Sequence, residues 1–184
     1  MTVTAHTHEK EGEFRTDLKN IVEIFAQSLY PEEDMFIREL IQNAHDSIVK
    51  RQVHDPMHLG RIDIVVNGTT NLLMIRDAGI GMTEQEILDY LCTIGGSGTR
   101  TFRKSIVERD RESAESLIGQ FGIGILSAFV ASDRIVIDTR HYLADPHEGI
   151  HWSVNPGENF RYNSITIEKM VQPSCCILNR IIVD

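Results

Sequence analysis

Four polar side chains recur at helical spacing in the segment PEEDMFIRELIQNAHDSIVKRQ (31–52). Glu39, Asn43, Asp46 and Lys50 stand at i, i+4, i+7 and i+11, which places the other three within roughly 40° of Glu39 around a helix. Two carboxylates, an amide and an ammonium group on one stripe make a candidate chemical site. An amphipathic helix with a solvated polar face shows the same pattern, so the interpretation depends on the rest of the chain.

A second candidate group follows the strand-like run NLLMIRD (71–77). Asp77-Ala78-Gly79-Ile80-Gly81-Met82 begins where that strand ends. A carboxylate here can accept a hydrogen bond from a flat ligand, and the glycines let the backbone approach it closely. A simple turn leaving a strand is the alternative interpretation.

Two further segments are rich in glycine. Residues 95–99 (GGSGT) form a flexible loop with many backbone donors, and residues 119–124 (GQFGIG) precede the apolar run GILSAFVAS. Exposed N–H groups at a helix N-terminus suit a phosphate. The spacing G-x-x-G-x-G differs from the dinucleotide fingerprint, and no G-x-x-x-x-G-K-[ST] occurs, which excludes both a Rossmann and a P-loop interpretation.

Three blocks of the chain together resemble the ATP-binding signature of the GHKL superfamily. They are RELIQNAHDSI (38–48), RDAGIGMT (76–83) and IGQFGIGILSAF (118–129), in the expected order. The flanking stretches GEFRTDLKNIVEIFAQSLYPEEDMFIREL and TIGGSGTRTF are similar to the N-terminal nucleotide-binding domain of the 90-kDa heat-shock chaperone family, in its bacterial form. The similarity is close over residues 12–135.

The resemblance implies a role for each matching residue. Glu39 matches the general base that activates the attacking water, Asn43 matches the Mg²⁺ ligand, and Asp77 matches the carboxylate that binds adenine. The other positions that the resemblance places around the nucleotide are Asp46, Lys50, Gly79, Gly81, Met82, Ser97, Gly98, Thr99, Gly119, Gln120, Phe121, Gly122, Ile123, Gly124, Ile125 and Ser164. Residues from about 93 to 118 match the lid that closes over ATP.

The chain departs from the family pattern at four places. Gly96 stands where a lysine is frequent, Tyr90 where an asparagine is frequent, and Ile125 where an aromatic residue is usual. Asn163-Ser164 takes the place of a Gly-Thr pair whose threonine bonds to the adenine region, and a hydroxyl is retained. The base, metal and adenine positions are intact, so nucleotide binding is expected.

The function implied by the resemblance is that of a Mg²⁺-dependent ATPase domain in a chaperone that assists protein folding. ATP or ADP would be the ligand, and unfolded or partly folded client proteins the partners. A middle domain would supply a catalytic arginine and a C-terminal domain the homodimer contact, so weak hydrolysis is expected of this chain by itself. The alternatives are another GHKL ATPase (of the histidine kinase, DNA gyrase or MutL type) and a nucleotide-sensing or client-binding module without ATPase activity.

The elements that must position these residues follow from periodicity. Helices are predicted over 18–29, from Pro31 to about 52 and over 124–132, and a capping box, Thr83 with Glu86, begins another. Strands are predicted over 61–67, 71–77, 134–140, 151–154 and 164–170, the first two forming a hairpin. Residues 93–122 show little periodicity and are predicted to be a long mobile segment.

The expected fold is a two-layer α/β sandwich, with a mixed, mainly antiparallel sheet and helices on one face. The expected organisation is a flexible tail over 1–13, a nucleotide-binding domain over 14–172 and a linker over 173–184. His54 and His58 are interpreted as residues of a solvated loop, because Asp55-Pro56 breaks the helix between them. Trp152, the single tryptophan, is predicted to pack against the sheet.

Composition and charge exclude several classes. The chain has 184 residues, 41% hydrophobic and 24% charged, with a net charge of −9. A nucleic-acid surface is not expected at this charge, and binding ATP requires a cation or backbone N–H groups to supply positive charge. No membrane span or secretory signal is visible, and three cysteines without a pairing pattern favour the cytoplasm.

Overall fold

The computed structural model describes residues 20, 35–92, 97–107, 110, 115, 117, 128, 131–155, 158–167 and 179–183, and of residues 35 and 179–183 the backbone. The predicted tail 1–13 and, apart from Asn20, the predicted helix 18–29 lie outside these residues. The helical elements are α1 (Met35–His54), α2 (Glu84–Glu86) and α3 (Gly98–Ile106). The strands are β1 (Ile62–Asn67), β2 (Leu72–Asp77), β3 (Ile135–Thr139), β4 (Gly149–Val154), β5 (Arg161–Ile165) and β6 (Asn179–Val183).

The strands form one six-stranded sheet in the order β1-β2-β6-β3-β4-β5. All five pairings are antiparallel, and the register places Ile75, Ile137 and Trp152 in one row across the sheet. These three side chains are at most 2% exposed. Leu40 and Ala44 of α1 pack against this face. The core that they form with it also contains Ile87, Ala128, Ile135, Ile150 and Val154. The predicted two-layer α/β sandwich and the packing role of Trp152 are confirmed.

The hairpin predicted from the β1 and β2 sequences is present. Asn67 pairs with Leu72, and the Asn67 side-chain oxygen accepts hydrogen bonds from the backbone N–H groups of Thr69 and Thr70 at 3.0 and 3.3 Å. Asn71 completes the turn with φ of 51°, a value that asparagine adopts more readily than most residues. Local turn chemistry therefore fixes the register that brings Asp77 to the end of β2.

The helix after this hairpin begins as predicted. Thr83 accepts from the N–H of Glu86, and the Glu86 carboxylate accepts from the N–H of Thr83 at 2.8 Å, which completes a capping box. The helix then widens into a π-helical turn, Ile87–Leu91, in which Cys92 N–H donates to the Ile87 carbonyl at 3.1 Å.

The prediction of a long mobile segment over 93–122 is wrong for the residues of α3, which form a helix. Ser97 caps this helix by accepting from Arg100 N–H at 3.1 Å. Phe102 and Ile106 pack with Val49 and Val53 of α1 and with Leu117. The helix is short, and few of its residues are apolar, so it was not recognised within the longer segment.

Two strands differ from the predictions, whereas the other four lie within two residues of their predicted bounds. Strand β5 spans Arg161–Ile165 where the sequence predicted 164–170, and β6 spans Asn179–Val183 within the predicted linker 173–184. Strand β6 pairs with both β2 and β3 and joins the two halves of the sheet. The apolar residues of NRIIVD therefore belong to the sheet. Among the described residues, no helix is long and apolar enough to cross a membrane.

We expect a chain ending at residue 172 to lose its cooperative unfolding transition in urea. Without β6, the facing backbone groups of β2 and β3 lose their partners in the middle of the sheet, where unpaired groups are costly. Urea titration followed by far-ultraviolet circular dichroism measures this. A truncated chain with the same transition midpoint as the full chain would contradict the central position of β6.

Candidate functional site

The polar stripe of α1 is partly buried. Asp46 is 1% exposed and Glu39 and Lys50 are half-buried, whereas Asn43 is exposed. The solvated-face interpretation is therefore wrong for Asp46. One side of α1 packs on the sheet through Leu40 and Ala44, and its C-terminal half packs on α3.

The charges of this stripe act on one another and on neighbouring elements. Burial raises the pKa of the Glu39 carboxyl, and the negative charge of Asp46 raises it further. Burial lowers the pKa of Lys50, while the carboxylates of Asp46, Glu86 and Asp77 act in the opposite direction. Acidic groups of α1, β2 and α2 therefore act electrostatically on the ammonium group of Lys50.

Asp77 ends strand β2 with its side chain 8% exposed. Its carboxylate oxygen Oδ1 accepts a hydrogen bond from Gly79 N–H at 2.9 Å. The alternation of the strand places Asp77 on the same face as Ile75, toward the helix layer. A buried carboxylate, fixed by its own turn, is thereby directed toward α1.

The turn after Asp77 is tied to three other parts of the chain. Ala78 N–H donates to the Arg61 carbonyl at 2.9 Å and Ile80 N–H donates to the Ser47 carbonyl at 3.0 Å. The Ile80 carbonyl accepts from Tyr142 N–H at 2.9 Å. These bonds connect the turn to the start of β1, to α1 and to the loop after β3, so its conformation is held from several directions.

The two predicted glycines are required by close contacts. A Cβ atom at Gly79 would lie 2.5 Å from the Ser47 carbonyl carbon. Gly81 has φ of +72°, and a Cβ atom there would lie 2.6 Å from the Arg140 carbonyl carbon. Backbone atoms cannot move aside as a flexible side chain can, so both positions favour glycine.

Sequence reasoning missed Thr139, whose Oγ1 accepts a hydrogen bond from Met82 N–H at 3.1 Å. Thr139 is fully buried at the end of β3. A polar residue two positions after Ile137, on the core face of the strand, was the available signal. It also missed Ser47 and Glu86 as site residues, because Ser47 contributes its backbone and Glu86 was interpreted only as part of a cap.

The two histidines assigned to a solvated loop are placed differently. His54 ends α1, stacks on Tyr142 with ring centroids 5.8 Å apart and meets Phe102 edge-on at 5.9 Å. His58 Nε2 lies 2.6 Å from the Ala78 carbonyl oxygen. The solvated-loop interpretation is therefore wrong for His58, which reaches the turn beside Asp77.

The predicted lid residues Ser97, Gly98 and Thr99 form the start of α3. Gly98 lies against the Tyr90 ring, where a Cβ atom would come within 2.8 Å of two ring carbons, and Thr99 is buried. This end of α3 packs on the π-helical turn, and the other end packs on α1. The departure at Tyr90 therefore lies at the contact between the π-helical turn and the start of α3, whereas Gly96 lies outside the described residues.

Ser164 is not brought to Asp77. It lies on the edge strand β5, and β6, β3 and β4 separate β5 from β2. At about 4.8 Å per strand, the separation is roughly 19 Å. The residue in register with Asp77 on the neighbouring strand is Asn179. The remaining predicted positions, Gly119, Gln120, Phe121, Gly122, Ile123, Gly124 and Ile125, lie outside the described residues.

No group of three or more His, Cys, Asp or Glu side chains within the described part of the chain is arranged to hold a metal ion. The oxygen donors of α1 nevertheless suit a hard cation shared with a ligand. Asn43 is exposed one turn from Glu39, and Mg²⁺ in phosphate sites takes one or two protein oxygens and completes its shell with water and phosphate. The donor set fits such an ion.

A sheet covered on one face by helices, with a polar stripe on α1 and a buried aspartate at the end of β2, agrees with the α/β fold expected of a GHKL ATPase domain. Residues 34–172 match the family described as histidine kinase-, DNA gyrase B-, and HSP90-like ATPase. The chain belongs to this family, and the resemblance predicted from its three sequence blocks is confirmed.

The chain is similar to curated proteins named chaperone protein HtpG. It is 34% identical to the chaperone protein HtpG of Buchnera aphidicola subsp. Schizaphis graminum, over 85% of this chain and 26% of that protein. It is 36% identical to HtpG of Coxiella burnetii, over 79% and 24%, and 33% identical to HtpG of Nocardia farcinica, over 90% and 26%. The chain thus spans about a quarter of the length of these relatives.

We expect Gly79→Ala to lower the free energy of unfolding by about 1–3 kcal/mol, because the new methyl group forces the turn away from α1. Gly68→Ala is the matched control, since its Cβ would meet nothing within 4 Å, and we expect a change within about 0.5 kcal/mol. Urea unfolding of the three proteins measures both changes. Equal stability of the two variants would show that the turn does not need glycine at position 79.

Proposed function

We propose that the chain binds ATP between α1 and the turn that follows β2, as the nucleotide-binding part of a chaperone. The observation that carries the proposal is the buried carboxylate of Asp77, fixed by Gly79 N–H and directed toward the polar stripe of α1. Family membership supplies the ATPase chemistry, and the names of the relatives support the chaperone role.

Asp77 would accept a hydrogen bond from the amino group of adenine. An ionised carboxylate only accepts hydrogen bonds, so it discriminates for a base that presents a donor at this position. Gly79, Gly81 and Met82 lie next to it in a turn whose backbone is already held by hydrogen bonds. A preorganised turn of this kind reduces the ordering cost of binding.

Glu39 would act as the general base. In this role its carboxylate accepts a proton from water while the water oxygen bonds to the γ-phosphorus and the bond to ADP breaks. Burial and the neighbouring charge of Asp46 raise the pKa of Glu39. A raised pKa makes the carboxylate a stronger proton acceptor near neutral pH.

Asn43 would hold Mg²⁺ together with the phosphates, and the ion would neutralise phosphate charge when bound. The site needs such a cation because the negative charges of Asp46, Asp77 and Glu86 act on Lys50, which leaves little positive charge for a polyphosphate. Lys50 and Asp46 would line the pocket, and α3, with Ser97, Gly98 and Thr99, would belong to its lid.

The chaperone role concerns a protein longer than this chain. We propose that unfolded or partly folded proteins are its clients, that it forms a homodimer through regions beyond this domain, and that these regions contribute to turnover. Hydrolysis by this chain alone is therefore expected to be weak, while nucleotide binding is complete within it.

We expect Asp77→Asn to abolish ADP binding, because an asparagine in the same place no longer presents two acceptor oxygens and its NH₂ group opposes the donor of the base. Titration calorimetry with ADP, in the presence and absence of Mg²⁺, measures the affinity. We expect Mg²⁺-dependent binding by the unchanged chain.

The matched control is Asp63→Asn, which removes a carboxylate paired with Arg61 at 2.8 Å on the edge strand β1 and should leave the affinity unchanged. Far-ultraviolet circular dichroism checks that both variants fold. If Asp77→Asn binds ADP as the unchanged chain does, the adenine role is wrong. If the unchanged chain binds no nucleotide, the proposed function itself is wrong.

We expect Glu39→Gln to retain ADP binding, to lose ATP turnover in the longer protein, and to raise the stability of this chain at pH 7. The folded-state pKa of Glu39 lies above its ordinary value of 4.5, so its ionisation disfavours the folded state. The stability of the unchanged chain falls as pH rises through that folded-state pKa. Glutamine does not ionise, so the variant does not lose this stability.

The stability difference should vanish below pH 4.5, where Glu39 is protonated in both the folded and the unfolded chain. Urea unfolding at pH 7 and pH 4 measures it, with Glu158→Gln at an exposed carboxylate as the control. A glutamine variant that hydrolyses ATP at the normal rate would contradict the general-base role.

A further inference from the structure

The loop between α1 and β1 makes a contact that neither the sequence pattern nor the family resemblance assigns. His58 Nε2 lies 2.6 Å from the Ala78 carbonyl oxygen. A carbonyl oxygen only accepts hydrogen bonds, so the hydrogen must be on Nε2 and His58 is the donor. The short distance joins a side chain of this loop to the residue directly after Asp77.

His58 is itself fixed relative to α1. Its backbone N–H donates to the Asp55 carbonyl at 2.9 Å, and its carbonyl accepts from Gln52 Nε2 at 3.1 Å. Gln52 lies in the last turn of α1, the helix that also carries Glu39, Asn43 and Asp46. These two hydrogen bonds therefore fix the position of His58 relative to α1.

The Ala78 carbonyl and the Gly79 N–H belong to one peptide group. Because a trans peptide is planar, these two groups point in opposite directions, and fixing one fixes the other. His58 donates to the carbonyl end at 2.6 Å, and the N–H end donates to Asp77 Oδ1 at 2.9 Å. A donor on the carbonyl also polarises the peptide and strengthens its N–H as a donor.

We infer that His58 is a positioning residue for the Asp77 carboxylate, acting through the peptide between Ala78 and Gly79. This inference rests on the proposed function, in which Asp77 binds adenine. His58 touches neither the base nor the phosphates. It holds the peptide that orients the carboxylate. It also connects that peptide to α1, the helix that carries Glu39 and Asn43.

Two substitutions test the hydrogen bond. His58→Ala removes the donor, whereas His58→Gln retains an amide N–H at a distance from the backbone similar to that of Nε2. We expect His58→Ala to weaken ADP binding roughly five- to tenfold, the effect of losing one hydrogen bond, and His58→Gln to restore most of the affinity. His147→Ala is the matched control, since this exposed histidine bonds to Thr166 at 3.1 Å near the edge strand β5.

Titration calorimetry with ADP and Mg²⁺ measures the affinities of the 184-residue chain and its variants. Amide hydrogen exchange in the nucleotide-free protein should be faster at Gly79 in His58→Ala and normal in His58→Gln and His147→Ala. Rescue by glutamine separates a hydrogen-bond role from a packing role, because a packing defect would persist in both His58 variants.

The possible outcomes separate this inference from the proposed function. If the unchanged chain binds ADP and Asp77→Asn does not, but His58→Ala binds normally, the inference is overturned and the proposed function stands. Equally weak binding by the alanine and glutamine variants also overturns it. Absence of ADP binding by the unchanged chain overturns both.

A measurement on the unchanged chain covers the case in which His58→Ala does not fold. Nitrogen-15 spectra of the histidine rings report the tautomer of His58 directly. We expect the hydrogen on Nε2 at a pH where the ring is neutral. Finding it on Nδ1 alone would overturn the inference, because Nε2 could then not donate to the Ala78 carbonyl.

Discussion

The close approach of the turn after β2 to helix α1 is the constraint on which the site depends. Gly79 lies against the backbone of Ser47, and Ile80 N–H donates to the Ser47 carbonyl at 3.0 Å. The turn and the helix thus meet at a position where residue 79 has no room for a side chain. Since Ser47 follows Asp46 in α1, this contact also brings Asp77 within electrostatic range of Lys50.

The alternation of the strands explains why polar groups converge there. Asp77 follows Ile75 on the core face of β2, and Thr139 follows Ile137 on the core face of β3. Each is the last residue of an otherwise apolar series, at the end of the sheet where the core stops. The side chains of Asp77 and Thr139 therefore hold the turn 77–82. Asp77 accepts a hydrogen bond from Gly79 N–H, and Thr139 accepts one from Met82 N–H.

The electrostatic character of the site follows from this packing. Asp46 and Asp77 are buried, Glu39 is half-buried, and Lys50 is the cation among them. Burial opposes ionisation of both Glu39 and Lys50 by shifting the pKa of each. The charge of Asp46 opposes ionisation of Glu39 further, whereas it favours the charged form of Lys50. A polyanionic ligand at this site needs additional positive charge, which agrees with the net charge of −9.

Local features of the sequence determined α1, the β1–β2 hairpin, the capping box and the turn after Asp77, because helical spacing, turn residues and strand ends act over only a few positions. Tertiary structure alone decided the rest. The sheet order placed β6 beside β2 and left Ser164 at the edge, α3 became a helix by packing on α1, and His58 found a partner twenty residues away. Strand order and long-range hydrogen bonds depend on how distant segments pack, and no local periodicity encodes that packing.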